Sequence, residues 1–106
     1  MSAGKIASQA GHAYLGAFLK CRELDPSVLA QYLKSLPGTK VCLKAKNLDG
    51  LLRAQAQAES AGIPCSLITD SGCFNFFNGQ PIITALGLGP ANENSIKHIT
   101  RRFGLL

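Results

Sequence analysis

Three polar residues near the N-terminus have the types and the spacing that could support chemistry. Lys5, Gln9 and His12 occur at i, i+4 and i+7, so in a helix they share a stripe about 60° wide. An ammonium group stabilises negative charge, an amide donates and accepts hydrogen bonds, and an imidazole exchanges protons near neutral pH. On spacing alone three unrelated residues on an exposed helix face are the favoured interpretation, and a shared site is the alternative.

A carboxylate ends an apolar stretch later in the chain. Asp70 follows the apolar run 65–69 and precedes the pair Ser71-Gly72. Ligand sites in open α/β sheets favour the carboxyl ends of strands, which makes Asp70 a candidate site residue. An Asx turn that caps the following bend explains the same residue equally well. Gly72 either lets a substrate approach the backbone or supplies a positive-φ turn, and the turn is the favoured interpretation.

The basic residues indicate a polyanionic partner. The chain has 11 lysines and arginines against 6 aspartates and glutamates, a formal net charge of +5. Lys40, Lys44 and Lys46 cluster around one predicted strand, and Lys97 and Arg101 are i, i+4 in the last predicted helix. No aromatic-strand or GXXG signature of RNA-binding modules is present in the sequence. For each single residue, a solvated surface position is the alternative.

The elements that must position these residues follow from periodicity and from helix caps. Helices are predicted at about 3–20, 26–36, 48–61 and 92–103, with Asp25 and Asn47 as N-caps. Strands are predicted at about 39–45, 65–69 and 81–88, and Asn78-Gly79 is a tight-turn signal. The first two strands and the helix between them have the spacing of a βαβ unit, so we expect a parallel pair in an α/β fold.

Length and composition limit the classes of protein. A chain of 106 residues with 46% apolar content predicts a single domain over residues 1–106. It contains no run of 18 apolar residues, so no membrane span is predicted. The four cysteines form no CxxC pair and have no metal-ligand spacing. A reduced, cytoplasmic protein is expected, without a metal site.

Three motifs occur in order over nearly the whole chain. They are GKIASQAGHA at 4–13, KA at 44–45, and DSG at 70–72 followed by Gly79 and by LGLGPA at 86–91. In residues, order and spacing, this set resembles the type II peptidyl-tRNA hydrolases, the archaeal and eukaryotic kind. The resemblance extends from about Ala3 to Leu106.

The resemblance implies a fold and an activity. The fold would be a compact three-layer α/β sandwich, with a small mixed sheet of three to four strands and helices on both faces. The activity would be hydrolysis of the ester between a peptide and the 3′-end of tRNA, which recycles peptidyl-tRNA from stalled or abortive translation. Peptidyl-tRNA would be the partner, in the cytoplasm, and no metal or organic cofactor is implied.

Ester hydrolysis needs an oriented water, a proton acceptor and a group that stabilises the oxyanion. Given the resemblance, Lys5 would supply positive charge near the oxyanion or a phosphate, and Asp70 would orient the water or act as the base. His12 would be a base or a substrate ligand, and a histidine that packs its helix is the alternative. The predicted catalytic residues are therefore Lys5, His12 and Asp70. The predicted substrate-binding residues are Gln9, Lys44, Gly72, Lys97 and Arg101.

The chain departs from the family pattern in two places. Family members have a β-strand before the Gly-Lys motif, where this chain has Met1-Ser2-Ala3; the sheet is a strand short, a partner supplies that edge, or the start is truncated. Phe74 and Ile82 stand where the family has threonines. Two alternatives to the active enzyme follow: a weak or inactive member that binds tRNA or another partner, and an oligomer, with a homodimer as the simplest form.

Overall fold

A computed structural model describes residues 1–70 and 82–106, so the predictions for Gly72, Phe74 and the Asn78-Gly79 turn lie outside the described residues. Within these ranges there are four helices and four strands. In chain order they are α1 (Ala3–Leu24), α2 (Pro26–Leu33), β1 (Leu43–Lys44), α3 (Leu48–Ser60), β2 (Cys65–Asp70), β3 (Ile82–Leu88), α4 (Glu93–Thr100) and β4 (Gly104–Leu105).

Side-chain caps determine where the helices begin. The predicted N-caps are confirmed: an Asp25 carboxylate oxygen accepts from the Val28 N–H, and the Asn47 side-chain oxygen accepts from the Gly50 N–H. The first helix continues to Leu24, four residues beyond the predicted end, and stops where Asp25 precedes a proline. The residue before proline disfavours helical backbone, which explains the stop at this position.

A C-terminal cap ends α3 and starts the next strand. Gly62 has a φ of 71°, the Ile63 N–H donates to the Ala58 carbonyl at 2.8 Å, and the Gly62 N–H donates to the Glu59 carbonyl at 3.2 Å. This is the Schellman arrangement, in which glycine adopts the left-handed conformation at low cost. It turns the chain from α3 directly into β2.

β2 and β3 form an antiparallel pair that carries the centre of the molecule. Cys65 pairs with Leu88 at one end, and Asp70 pairs with Ile82 at the other. The register shifts between Ile68 and Thr69, which indicates a bulge close to the Asp70 end. The extra residue of the bulge lies in β3, where Thr84 falls between the paired residues Ile83 and Ala85, next to the candidate site.

The two faces of this pair contact different helices because side chains alternate along a strand. On one face α1 lies so close that a Cβ at Gly87 would overlap the Ala13 carbonyl, and a Cβ at Gly16 would overlap Ser66. On the other face a buried cluster packs against the sheet; its members are Ala54, Ala58, Ile63 and Ile99, with Cys65, Leu86 and Leu88 against them. The predicted α/β class is confirmed, with helices on both faces of the β2–β3 pair.

The predicted parallel βαβ unit is wrong. β1 is only two residues long and pairs antiparallel with β4, in the register Leu43 with Leu105. The Leu106 N–H extends this pair by donating to the Cys42 carbonyl at 3.1 Å. The described strands therefore form two separate two-stranded antiparallel sheets and not one mixed sheet. The C-terminal segment supplies the partner of β1, and this long-range pairing has no signal in the local pattern.

Candidate active site

The N-terminal turn of α1 and the last residue of β2 meet in an ion pair. Lys5 Nζ lies 2.9 Å from Asp70 Oδ2, and the two side chains are 36% and 15% exposed. Ser2 caps the helix by accepting from the Lys5 N–H at 3.2 Å, which fixes the backbone that carries the ammonium group. Two residues far apart in the chain, both predicted as catalytic, are thus in direct contact.

The second polar contact lies one turn further along α1. Gln9 is only 7% exposed, and its side-chain Oε1 accepts from the Thr84 hydroxyl at 2.6 Å. An ordinary surface glutamine, the alternative for this position, is therefore excluded. Because both groups are partly or fully buried, this hydrogen bond holds the amide in one orientation.

Thr84 was not predicted from the sequence as a site residue. It lies two positions after Ile82 in the apolar run IITALGL, and it is the extra residue of the bulge between Ile83 and Ala85. A lone hydroxyl in such a run is the signal that could have identified it, because a buried hydroxyl requires a hydrogen-bond partner. The strand thus supplies a hydroxyl two residues after Ile82, a position at which the resemblance implied a threonine.

His12 stands on the wall of a trough that leads away from the ion pair. The trough has a volume of about 470 Å³ and lies between α1 and β2. The residues that line it are Gln9, His12, Leu15, Gly16, Leu19, Leu67, Ile68, Thr69 and Asp70. His12 is exposed, so it is not the packed histidine that was the alternative interpretation. It shares the trough with Asp70.

The predicted basic residues border a second, larger groove. Lys44, Lys97 and Arg101 all line a groove of about 1320 Å³ between the two sheets. Gln9 and Thr84 line the same groove, so it reaches the polar contacts described above. The structure brings the predicted basic substrate-binding residues to one surface, with Gln9 between that surface and the trough.

Burial disfavours the thiolate form at two of the described cysteines. Cys21, Cys42 and Cys65 are free thiols, and burial raises the pKa of Cys21 and of Cys65. Among residues 1–70 and 82–106, no three His, Cys, Asp or Glu side chains are grouped as a metal site. No helix in those ranges is long and apolar enough to cross a membrane.

Comparison with known proteins decides the family. A family model described as Peptidyl-tRNA hydrolase PTH2 matches residues 1–106. The chain belongs to this family.

Curated relatives support the same assignment. The chain is 35% identical over 106 residues to the peptidyl-tRNA hydrolase of Methanococcus vannielii, with 100% of this chain and 89% of the relative covered. The corresponding protein of Methanopyrus kandleri is 37% identical over 106 residues, with 88% of it covered. That of Thermoplasma acidophilum is 29% identical over the same length. The family resemblance inferred from the motifs is confirmed.

Because the chain belongs to the PTH2 family, the contacts described above are candidates for a hydrolytic site. The ion pair, the buried amide and the hydroxyl lie within one region towards the Asp70 end of the β2–β3 pair. This arrangement offers a carboxylate to handle a proton and an ammonium group to stabilise negative charge.

Proposed function

We propose that this PTH2 family member hydrolyses the ester between a peptide and the 3′-end of tRNA. The observation that carries the proposal is the contact between Lys5 and Asp70 at the end of β2. It joins the first and the third family motifs, and it provides the two charges that ester hydrolysis needs. The alternative, a weak or inactive member that only binds tRNA, has less support because this pair is intact.

In the proposed mechanism Asp70 orients a water molecule and accepts one of its protons. The water oxygen bonds to the ester carbonyl carbon, and Lys5 stabilises the negative charge that develops on the carbonyl oxygen. The bond to the ribose oxygen then breaks, and that oxygen takes the proton from Asp70. The products are a free tRNA 3′-hydroxyl and a peptide carboxylic acid, which releases its remaining proton to the solvent. His12 is exposed in the same trough and serves as a substrate ligand or a second proton carrier.

Gln9 and Thr84 act as positioning residues in this proposal. The hydrogen bond at 2.6 Å holds the Gln9 amide against β3, next to the turn of α1 that carries the lysine. A fixed amide orients the water or the lysine without reorganising during the reaction. Gly72 remains a predicted substrate-binding residue, and it lies outside the described residues.

Lys44, Lys97 and Arg101 are proposed to contact tRNA phosphates. All three line one groove, and their contacts with the backbone of the nucleic acid would not depend on its sequence. Such contacts suit an enzyme that acts on many different tRNAs. This role in translation places the protein in the cytoplasm in our proposal.

A homodimer stays a proposal as well. Among the described residues, β3 pairs with a strand on one edge only, and an open edge favours association. The mass of the protein in solution tests it, because a monomer at high concentration would exclude edge pairing.

The test of the enzymatic proposal is release of N-acetyl-aminoacyl groups from charged tRNA by the purified protein. Lys5→Ala and Asp70→Asn should each lower kcat by about 100-fold or more, since removal of one group that stabilises a transition state commonly has this effect. Lys20→Ala is the matched control, because Lys20 is an exposed lysine on the same helix. If no release occurs but the protein still binds tRNA in a salt-sensitive way, the result would favour the weak or inactive family member that only binds tRNA.

A further inference from the structure

The trough beside the ion pair has an apolar wall that the proposed chemistry does not use. Leu15 and Leu19 lie on the α1 side of it and are 58% and 38% exposed, although both are large hydrophobic residues. Leu67 and Ile68 of β2 form the opposite wall. Exposed apolar side chains grouped along one depression are typical of a binding surface.

The two cavities occupy different sides of α1. The trough contacts positions 12, 15, 16 and 19 of the helix, whereas the groove contacts positions 6, 10, 13, 14, 17 and 18. At 100° per residue these sets form two adjacent stripes, and Gln9 lies at their boundary and lines both cavities. A substrate whose two halves enter the two cavities would therefore have its junction near Gln9.

The two cavities also differ in the charged residues that line them. The groove is lined by Lys40, Lys44, Lys97 and Arg101, and Glu93 is its one acidic lining residue among those described. Among the described residues that line the trough, none is a lysine or arginine, and the one acidic residue, Asp70, is paired with Lys5. A polyanion is attracted to the first cavity and not to the second.

We propose that the trough binds the peptide half of peptidyl-tRNA, with Leu15 and Leu19 contacting apolar side chains next to the ester. This inference rests on the proposed function and assigns a separate surface to the peptide. From His12 to Leu19 the helix rises about 10 Å, which matches about three residues of an extended peptide. Leu15 and Leu19 on one wall and Leu67 and Ile68 on the other offer apolar surface, so the contact discriminates by apolar character and not by sequence.

The test compares one tRNA carrying either N-acetyl-leucine or N-acetylglycine. The wild type should hydrolyse the leucine ester with the higher kcat/KM. Leu15→Ser and Leu19→Ser should lower this preference by about 3- to 10-fold, a smaller change than in a closed pocket. Leu24→Ser is the matched control, because Leu24 is also 58% exposed on α1 and does not line the trough. It should leave the preference unchanged.

Two further measurements separate this inference from the proposed function. Deacylated tRNA should inhibit the wild type and Leu15→Ser equally, and a weaker inhibition of the variant would assign the trough to tRNA and overturn the inference. A non-hydrolysable analogue, with an amide between N-acetyl-leucine and the terminal adenosine, tests the contact without turnover. Weaker binding of this analogue to Leu15→Ser than to Leu24→Ser supports the trough even if no hydrolysis occurs.

The remaining outcomes are also decisive. If the wild type hydrolyses both esters and all three leucine variants keep the same preference, the peptide does not contact the trough. If the wild type hydrolyses neither ester, the proposed function fails, and the affinity for the amide analogue alone decides the inference.

Discussion

The two ends of the antiparallel β2–β3 pair are built differently. At the end where Cys65 pairs with Leu88, apolar side chains pack against the buried cluster that contains Ala58 and Ile99. Towards the end where Asp70 pairs with Ile82, the interactions are an ion pair and a short hydroxyl–amide hydrogen bond. Apolar packing is not directional. Ion pairs and hydrogen bonds, in contrast, fix the positions of the atoms that they join. The β2–β3 pair thus has apolar packing at one end and charged and polar contacts at the other.

The largest expected effect tests the apolar end. Ile99→Ala removes most of a side chain that is 4% exposed, and it should lower the free energy of unfolding by about 2–5 kcal/mol. Urea denaturation measures this decrease. The rate per folded molecule should stay close to that of the wild type, because Ile99 does not line the trough. Leu33→Ala, at a surface position, is the control for stability. If the catalytic rate per folded molecule of Ile99→Ala also fell, the two ends of the β2–β3 pair would not be independent.

The next effect tests the polar end. Thr84→Val keeps the shape of the side chain and removes the hydroxyl that donates to Gln9. We expect kcat/KM to fall by about 10-fold and the free energy of unfolding by about 1–3 kcal/mol, because a buried amide oxygen is left without its donor. Thr100→Val is the control, since the Thr100 hydroxyl bonds to the Ile96 carbonyl within its own helix. An equal fall in activity in both variants would exclude a specific positioning role for Thr84.

A smaller effect is expected in the basic groove. Lys97→Ala or Arg101→Ala should weaken binding of deacylated tRNA and reduce the dependence of log affinity on log salt by about one for each phosphate that is no longer neutralised. The value of kcat at saturating substrate should not change, because neither residue belongs to the ion pair. Lys34→Ala, at an exposed position outside the groove, provides the reference. A salt dependence identical in all variants would remove these residues from the tRNA surface.

The smallest effect concerns the contact that ties α1 to the segment before β1. The Tyr14 hydroxyl lies 3.3 Å from Cys42 Sγ, and burial together with this hydrogen bond raises the pKa of Tyr14 to about 12. Below pH 10 both folded and unfolded chains keep the proton. Between pH 10 and about 12 the unfolded chain ionises first, so the free energy of unfolding should fall.

Ultraviolet absorbance of tyrosinate measures this titration. The chain has two tyrosines, so in a Tyr32→Phe background the signal belongs to Tyr14 alone. Tyr14→Phe should remove this contribution to the alkaline destabilisation. A midpoint close to 10 for Tyr14 would show that the contact with Cys42 is open in solution.

The helices were largely predictable because their signals are local. Asp25 with Pro26, and Asn47 with Gly62, mark helix ends through contacts within a few residues of each position. Errors occurred at ends that depend on packing: α2 stops at Leu33 and not at 36, and α1 continues because Cys21 is buried against the rest of the molecule.

The strand pairing was not predictable in the same way. A run such as 39–45 satisfies the pattern of a strand, but only Leu43–Lys44 finds a partner, and that partner is the C-terminal Gly104–Leu105. Hydrogen bonds between strands depend on which segments meet, and alternation along one segment carries no information about its neighbour.

The sequence by itself determined the helix caps, the α/β class and the motifs that place the chain in the PTH2 family, because these depend on residue types at short spacing. Only the tertiary structure decided that Lys5 contacts Asp70 and that Thr84 orients a buried Gln9, 75 positions away in the chain. It also decided that the trough and the basic groove meet at that glutamine. These relations arise when α1 packs across both strands, and packing joins residues that no local pattern connects.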